Sequence, residues 1–353
     1  MSIKNALRQF DSYRRDKMGG LETLLYKMLS NNKSLQKDLL APEQVKRIIV
    51  IRNNKRIGNM YFMLPFLREV SRQYPDAQID LLLNEPWQGQ VFAHMGFGQM
   101  DYSHFSFKQL GKWLSCMGKL RRNQYDLVLV PYSSVGDAMM CAMLDAKNKV
   151  AEYNQRRLPA APHSIPRGEC LPHAALNSLD VLVQMGLPVD SQYDHTMAFG
   201  NDELIKGQSV ADELKGDHPG VTMAYFRGAR GDKLLSEAQW RDILAKFEQG
   251  APQPIQWVEI LSPDITSALE SGRKTFQSSD MRHLAAVLKQ LDAFICCDTG
   301  PLHLADAADA TCIGIFTHTD TKRYGLLGAN CAEVEGLDNL DAKAVFEKVG
   351  LNK

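Results

Sequence analysis

Short apolar runs and helically spaced apolar stripes alternate along most of this chain. Arg47-Ile48-Ile49-Val50-Ile51-Arg52 reads as a buried strand, and Met63, Leu64, Leu67 and Val70 then repeat as the face of a helix over 60–74. Residues 79–83 make a second strand, 108–122 a helix, 126–130 a strand, 137–145 a helix and 149–153 a short strand. A Pro-rich loop at 158–168 and a helix over 173–185, closed by Gly186, end this half; 190–202 reads as a linker. The alternation then restarts. Strands are expected at 222–226, 257–261, 293–297 and 312–316, with helices at 236–248, 279–291, 301–308 and 341–349. Repeated βαβ units of this kind predict parallel sheets covered by helices on both faces. Two such α/β domains enclose a cleft that the carboxyl ends of the strands face.

Before this pattern starts, residues 1–45 stand apart. Leu21, Leu24, Leu25 and Met28 form a helical stripe, and Leu7, Phe10 and Tyr13 a weaker one. Such a stripe suits a helix that covers a domain or a second subunit; a helical arm on an anionic membrane surface is the other reading. The last helix, over 341–349, is expected to cross back towards the first domain.

Composition narrows the class. At 353 residues, 44% hydrophobic and 23% charged, the chain matches a water-soluble two-domain protein. It has no bilayer-length apolar run and no signal-peptide pattern. Its seven cysteines show neither a CxxC pair nor metal-ligand spacing, so reduced thiols in the cytoplasm and no metal site are expected. The formal net charge of zero conceals a split of +7 over residues 1–200 and −7 over residues 201–353. The basic half invites an anionic partner. Without aromatic-interleaved basic patches, a lipid or sugar acid fits better than nucleic acid.

The stretch with the most chemistry is Ala293-Phe294-Ile295-Cys296-Cys297-Asp298-Thr299-Gly300-Pro301-Leu302-His303-Leu304-Ala305. An apolar strand runs into two good N-cap residues, a glycine, and a proline suited to the first helical position. A strand that turns this sharply into a helix presents free N–H groups and a positive dipole end, which together suit a phosphate. His303, one turn in, can reach the same anion. An ordinary capped βα turn would read the same way.

Several motifs in order resemble the ADP-heptose:lipopolysaccharide heptosyltransferases, glycosyltransferase family 9. They are Arg47 to Arg52 with Arg56-Ile57-Gly58-Asn59, Leu64-Pro65-Phe66-Leu67-Arg68, Tyr74-Pro75-Asp76-Ala77, and His173 to Leu187. Phe226 to Trp240 with Asp232 and Lys233, the Asp298-Thr299-Gly300-x-x-His303-Leu304-Ala305 element, and Phe316 to Gly325 complete the set. The resemblance covers residues 46 to about 330. It implies a GT-B fold of two Rossmann-like domains: an acceptor domain over 46–190 and a nucleotide-sugar domain over 203–335, flanked by the 1–45 extension and a 336–353 helix. The implied reaction transfers heptose, with inversion, from ADP-heptose to a lipid A–core or Kdo-bearing acceptor. No metal or other cofactor is implied. The expected setting is the cytoplasm, with peripheral contact to the inner membrane. Lys233, Asp298, Thr299, Gly300 and His303 are then expected at the donor diphosphate, Gly58 nearby, and Asp264 at the ribose.

One position departs from the family pattern. Asn59 stands where the family has an aspartate proposed as the base, and an amide cannot take a proton at neutral pH. Asp137, after Gly136 at a strand's carboxyl end, is a candidate substitute, although a helix-start aspartate is the plainer account of it. Slow catalysis on diphosphate stabilisation alone is a second possibility. A non-catalytic nucleotide- or glycan-binding protein, or another GT-B enzyme such as a sugar-nucleotide epimerase, are the competing functions.

Overall fold

The computed structural model describes residues 20–132, 134–166, 171–190 and 192–352. After a helix over 20–29 (α1), the first domain runs β1 (Arg47–Arg52), α2 (Gly58–Tyr61), α3 (Leu64–Gln73), β2 (Gln78–Leu83), α4 (Pro86–Gly89), β3 (Met100–Tyr102), α5 (Leu110–Leu120), β4 (Tyr125–Val130), α6 (Val135–Met143), β5 (Ala146–Glu152), β6 (His163–Ile165) and α7 (Leu179–Gln184). The second domain runs α8 (Asn201–Lys215), β7 (Val221–Phe226), α9 (Glu237–Gly250), β8 (Ile255–Ile260), β9 (Lys274–Phe276), α10 (Met281–Gln290), β10 (Ala293–Cys297), α11 (Gly300–Ala307), β11 (Cys312–Phe316), α12 (Thr321–Tyr324), β12 (Cys331–Glu335) and α13 (Ala342–Lys348).

Every named strand pairs in parallel, in the orders β3-β2-β1-β4-β5-β6 and β12-β11-β10-β7-β8-β9. Counted within its own domain, each order is the doubly wound 3-2-1-4-5-6. The central strands are apolar on both faces because helices cover both; Ile48, Ile49, Val50 and Ile51 of β1 are all buried. The order reverses between β1 and β4 and between β7 and β10. The crevices at these two points are therefore where the loops after β1 and β10 emerge.

Three expectations change. The helix foreseen over 60–74 is split at Phe62 and Met63, because Pro65 at the start of α3 has no N–H to continue the first turn. The C-terminal α13 stays on the second domain: Phe346 meets Phe247 of α9 edge-to-face at 5.6 Å. The stripe on α1 does not cover the domain. Tyr26 is the buried anchor, while Leu21, Leu24 and Met28 lie outward at 61%, 53% and 76% exposure. Hydrogen bonds just past the helix fix this orientation, with Ser30 Oγ donating to Pro159 O and Asn31 N to Ala142 O. The Leu7, Phe10 and Tyr13 stripe falls outside the described residues.

The linker before α8 is fastened to both halves. Arg68 Nη2 donates to Thr196 O at 2.9 Å, and Met197 N donates to Ala307 O at 2.8 Å. The buried guanidinium of Arg282 donates to Gln90 O in the first domain, Ala198 O in the linker and Glu203 on α8. One side chain thus ties together three parts of the junction.

Candidate active site

The site begins where β10 ends. Thr299 is extended (φ −146°) and occupies the N-cap position of α11, but its hydroxyl does not cap the helix; it lies 3.0 Å from Cys296 Sγ. The N–H groups of Thr299 and Gly300 have no acceptor among the described residues, and Pro301 has none to satisfy. The helix start therefore keeps unspent donors at the positive end of its dipole.

Asp298 does not act as a cap either. Its carboxylate is the hub of the site, 5% exposed, and accepts from His303 Nε2 at 3.1 Å, Thr319 Oγ1 at 2.7 Å and the Lys233 ammonium. Lys233 also donates to Asp298 O at 3.1 Å. Burial alone would raise the Asp298 pKa, but the bonds from His303, Lys233 and Thr319 outweigh it and hold the carboxyl well below its usual range. Lys233 comes from the loop after β7, which turns at Gly231 with φ +61°. This holds a cation and a buried imidazole on the residue just before the Thr299 and Gly300 N–H groups. His303 Nδ1 is buried without a partner. A buried nitrogen that makes no bond within the protein is one a bound ligand can satisfy.

The first domain closes over the same point. Gly58 opens α2 opposite α11, and a Cβ built on it would lie 3.5 Å from His303 Cδ2. Its φ is not positive, so the tight turn that the sequence suggests for Gly58 is not what the position demands. Gly300 is the constrained glycine, because its Cβ would come within 2.5 Å of Ile57 Cγ2 across the interface. The Phe62 ring lies edge-on to His303 at 4.8 Å and to His173 at 5.5 Å.

Lys233, Asp298, Thr299, Gly300, His303 and Gly58 are thus brought together at one crevice. Asn59 follows Gly58 there, half-buried, with no side-chain hydrogen bond among the described residues. Asp264 is exposed in the turn after β8, on the second domain's side. Asp137 does not join them. It is fully buried, accepts from Asn53 N at 2.7 Å and Ser134 N at 3.1 Å, and closes a capping box with Ser134 at the start of α6. Burial raises its pKa, but no acceptor hydroxyl can reach an enclosed carboxylate, so its role as substitute base is withdrawn. Sequence reasoning missed Thr319 and Phe62. Thr319 lies inside the Phe316–Gly325 loop, but nothing local marks a threonine that bonds a residue 21 positions earlier. Among the described residues no cluster of His, Cys, Asp and Glu could hold a metal ion.

Two doubly wound domains facing one crevice, with a helix start that suits an anion on the second domain's side, make up a GT-B fold. The comparisons carry this further. The family model "Glycosyltransferase family 9 (heptosyltransferase)" matches residues 278–351, the stretch that contains the Asp298–His303 element. Lipopolysaccharide heptosyltransferase 3 of Escherichia coli K12 is 24% identical over 283 residues, covering 74% of this chain and 80% of that protein. Among solved structures, a family 9 glycosyl transferase from Veillonella parvula superposes with a TM-score of 0.70 at 15% identity, covering 85% of this chain and 88% of that one. The E. coli heptosyltransferase WaaC with ADP gives 0.67 at 18% identity, covering 87% and 100%. These two likenesses carry the fold. The sequence matches show a resemblance to glycosyltransferase family 9 and support a glycosyltransferase of the heptosyltransferase kind.

Proposed function

We propose that the chain transfers heptose from ADP-heptose to a sugar hydroxyl of a lipopolysaccharide core acceptor, with inversion at the anomeric carbon. The observation that carries this reading is the Asp298 hub with its unspent donors at the start of α11. A diphosphate seated there meets the Thr299 and Gly300 N–H groups, the helix dipole and the Lys233 ammonium. Charge developing on the leaving group is then stabilised by fixed donors without a metal ion. Asp298 orients both Lys233 and His303 and so acts through them. Asp264, in the exposed turn after β8, is read as the contact to the donor ribose. The acceptor enters from the carboxyl edge of the first sheet, where Asn59 can orient its hydroxyl but cannot remove its proton.

General-base help is worth roughly 10²–10⁴-fold, so the natural chain is expected to turn over slowly on leaving-group stabilisation. The work would take place in the cytoplasm at the inner membrane surface; among the described residues no helix is long and apolar enough to cross a membrane. Asn59 in place of the family's base favours one competing reading, a nucleotide- or glycan-binding protein. A coupled ADP-release assay with ADP-heptose and core acceptor separates the two, and donor binding without any acceptor-dependent ADP release would leave the binding protein.

A further inference from the structure

Glu259 is a fully buried carboxylate near the carboxyl end of β8, outside the Asp298 hub. It accepts three hydrogen bonds. Tyr225 OH donates from β7 at 2.7 Å, Arg227 Nε from the loop after β7 at 2.5 Å, and Leu269 N from the loop after β8 at 2.6 Å. Arg227 then reaches further, with Nη2 donating to Ser267 O at 2.6 Å. The pair therefore grips the loop after β8 at one carbonyl and one N–H, two residues apart. A largely buried ion pair adds little net stability over an apolar filling of the same volume. Its distinctive effect here is to link two loops.

In the proposed function those loops meet the donor at opposite ends. The loop after β7 carries Lys233, which Asp298 holds independently of Glu259. The loop after β8 carries Asp264 in a tight turn, where Ser262 and Ile265 exchange backbone hydrogen bonds at 3.2 and 2.9 Å. That turn is fixed within itself, and the Glu259–Arg227 pair ties its loop to β7. The buried Leu269 side chain keeps the loop packed on the second domain's core when the pair is broken.

We propose that Glu259 is a positioning residue for the donor nucleotide: through Arg227 and the Leu269 N–H it holds Asp264 at the distance from Lys233 that lets one ADP reach both. This rests on the donor site of the proposed function and deepens it.

The test compares ADP with inorganic pyrophosphate by calorimetry on the full chain. Pyrophosphate reaches only the Lys233 end, so a change in the ratio of the two affinities reports the nucleoside end. Asp264→Ala should cut ADP affinity about 10-fold, the loss of one hydrogen bond to a charged group, and leave pyrophosphate unchanged. Glu259→Gln turns an amide N–H₂ towards groups that need an acceptor, and should do the same. Because Glu259 acts through Asp264, the double variant should bind ADP no more weakly than either single one, to within about twofold. Arg227→Lys keeps a positive charge beside Glu259 but cannot fork to Ser267 O, so it should open the same gap and serves if Glu259→Gln fails to fold in a thermal melt. An unchanged ratio in the folded variant, equal weakening of both ligands, an Asp264→Ala variant that binds ADP as the wild type does, or costs that multiply in the double variant each overturn the positioning role. None of these touches the transferase reading while the wild type binds ADP. A wild type that binds no ADP sinks that reading and the positioning role together.

Discussion

Replacing Gly300 by alanine tests whether the two domains meet as described. The added Cβ would stand 2.5 Å from Ile57 Cγ2, and the next nearest atom, Ile57 Cβ, is at 4.0 Å. Carbon atoms at rest sit about 3.5–4.0 Å apart, so roughly 1 Å of separation must be found. Ile57 cannot retreat freely, because its carbonyl accepts the Met60 N–H at 2.8 Å and anchors the start of α2. Overpacking of this kind costs about 1–3 kcal/mol, and alanine's advantage over glycine near a helix start returns about 0.5 kcal/mol. Gly300→Ala should therefore lose about 1–2 kcal/mol in chemical unfolding. With Ile57→Ala also present, the nearest Ile57 atom is the one at 4.0 Å and the strain disappears. The double variant should then cost no more than Ile57→Ala alone, to within about 0.5 kcal/mol. ADP calorimetry on the same set reports whether the strain reaches the anion site. Additive costs, or a Gly300→Ala variant as stable as the wild type, would show that the domains do not touch at this point.

Lys233→Ala and His303→Ala should each weaken ADP-heptose binding by about 10-fold or more in calorimetry, since hydrogen bonds to charged groups contribute about 1.5–3 kcal/mol. Unchanged affinity would remove the diphosphate from the start of α11. Asn59→Asp should raise acceptor-dependent turnover by about 10-fold or more, the low end of general-base catalysis. Asp137→Asn should instead lower stability by about 1–3 kcal/mol and leave kcat near wild type, because it weakens a buried capping box and not a catalytic group. Glu203 supplies a pH signature: hydrogen bonds from Arg282 push its carboxyl down to about 2. A depressed carboxylate stabilises the fold above its unfolded value of about 4.3, and this stability is lost as pH falls towards the folded value. Glu203→Gln should flatten the acid limb of the stability curve between about pH 4.3 and 2, and an unchanged limb would count against the junction.

The sequence alone was enough to show the central strands, because a parallel strand covered on both faces must be apolar throughout; the edge strands β3, β6, β9 and β12 and the helix α8 were not legible in it. Ile48 to Ile51 and Ala293 to Cys297 therefore announce themselves without any neighbour in view. The start of α11 was legible for a related reason: Gly300 and Pro301 mark a helix start through the backbone next to them. What the sequence could not supply was any relation between distant segments. Asp298 reads locally as a cap, yet in the fold Lys233 and Thr319, from two other loops, compete for its carboxylate and win it. Asp137 reads as a carboxylate at a strand's carboxyl end, and only packing shows that the Asn53 and Ser134 N–H groups enclose it. Gly58 and Gly300 look equally permissive in one dimension. Tertiary structure makes Gly300 the constrained one, because Ile57, more than 240 positions earlier, comes to rest where its side chain would be. Local propensity depends on near neighbours, whereas burial, pairing and charge depend on whatever the chain's topology brings within a few ångströms.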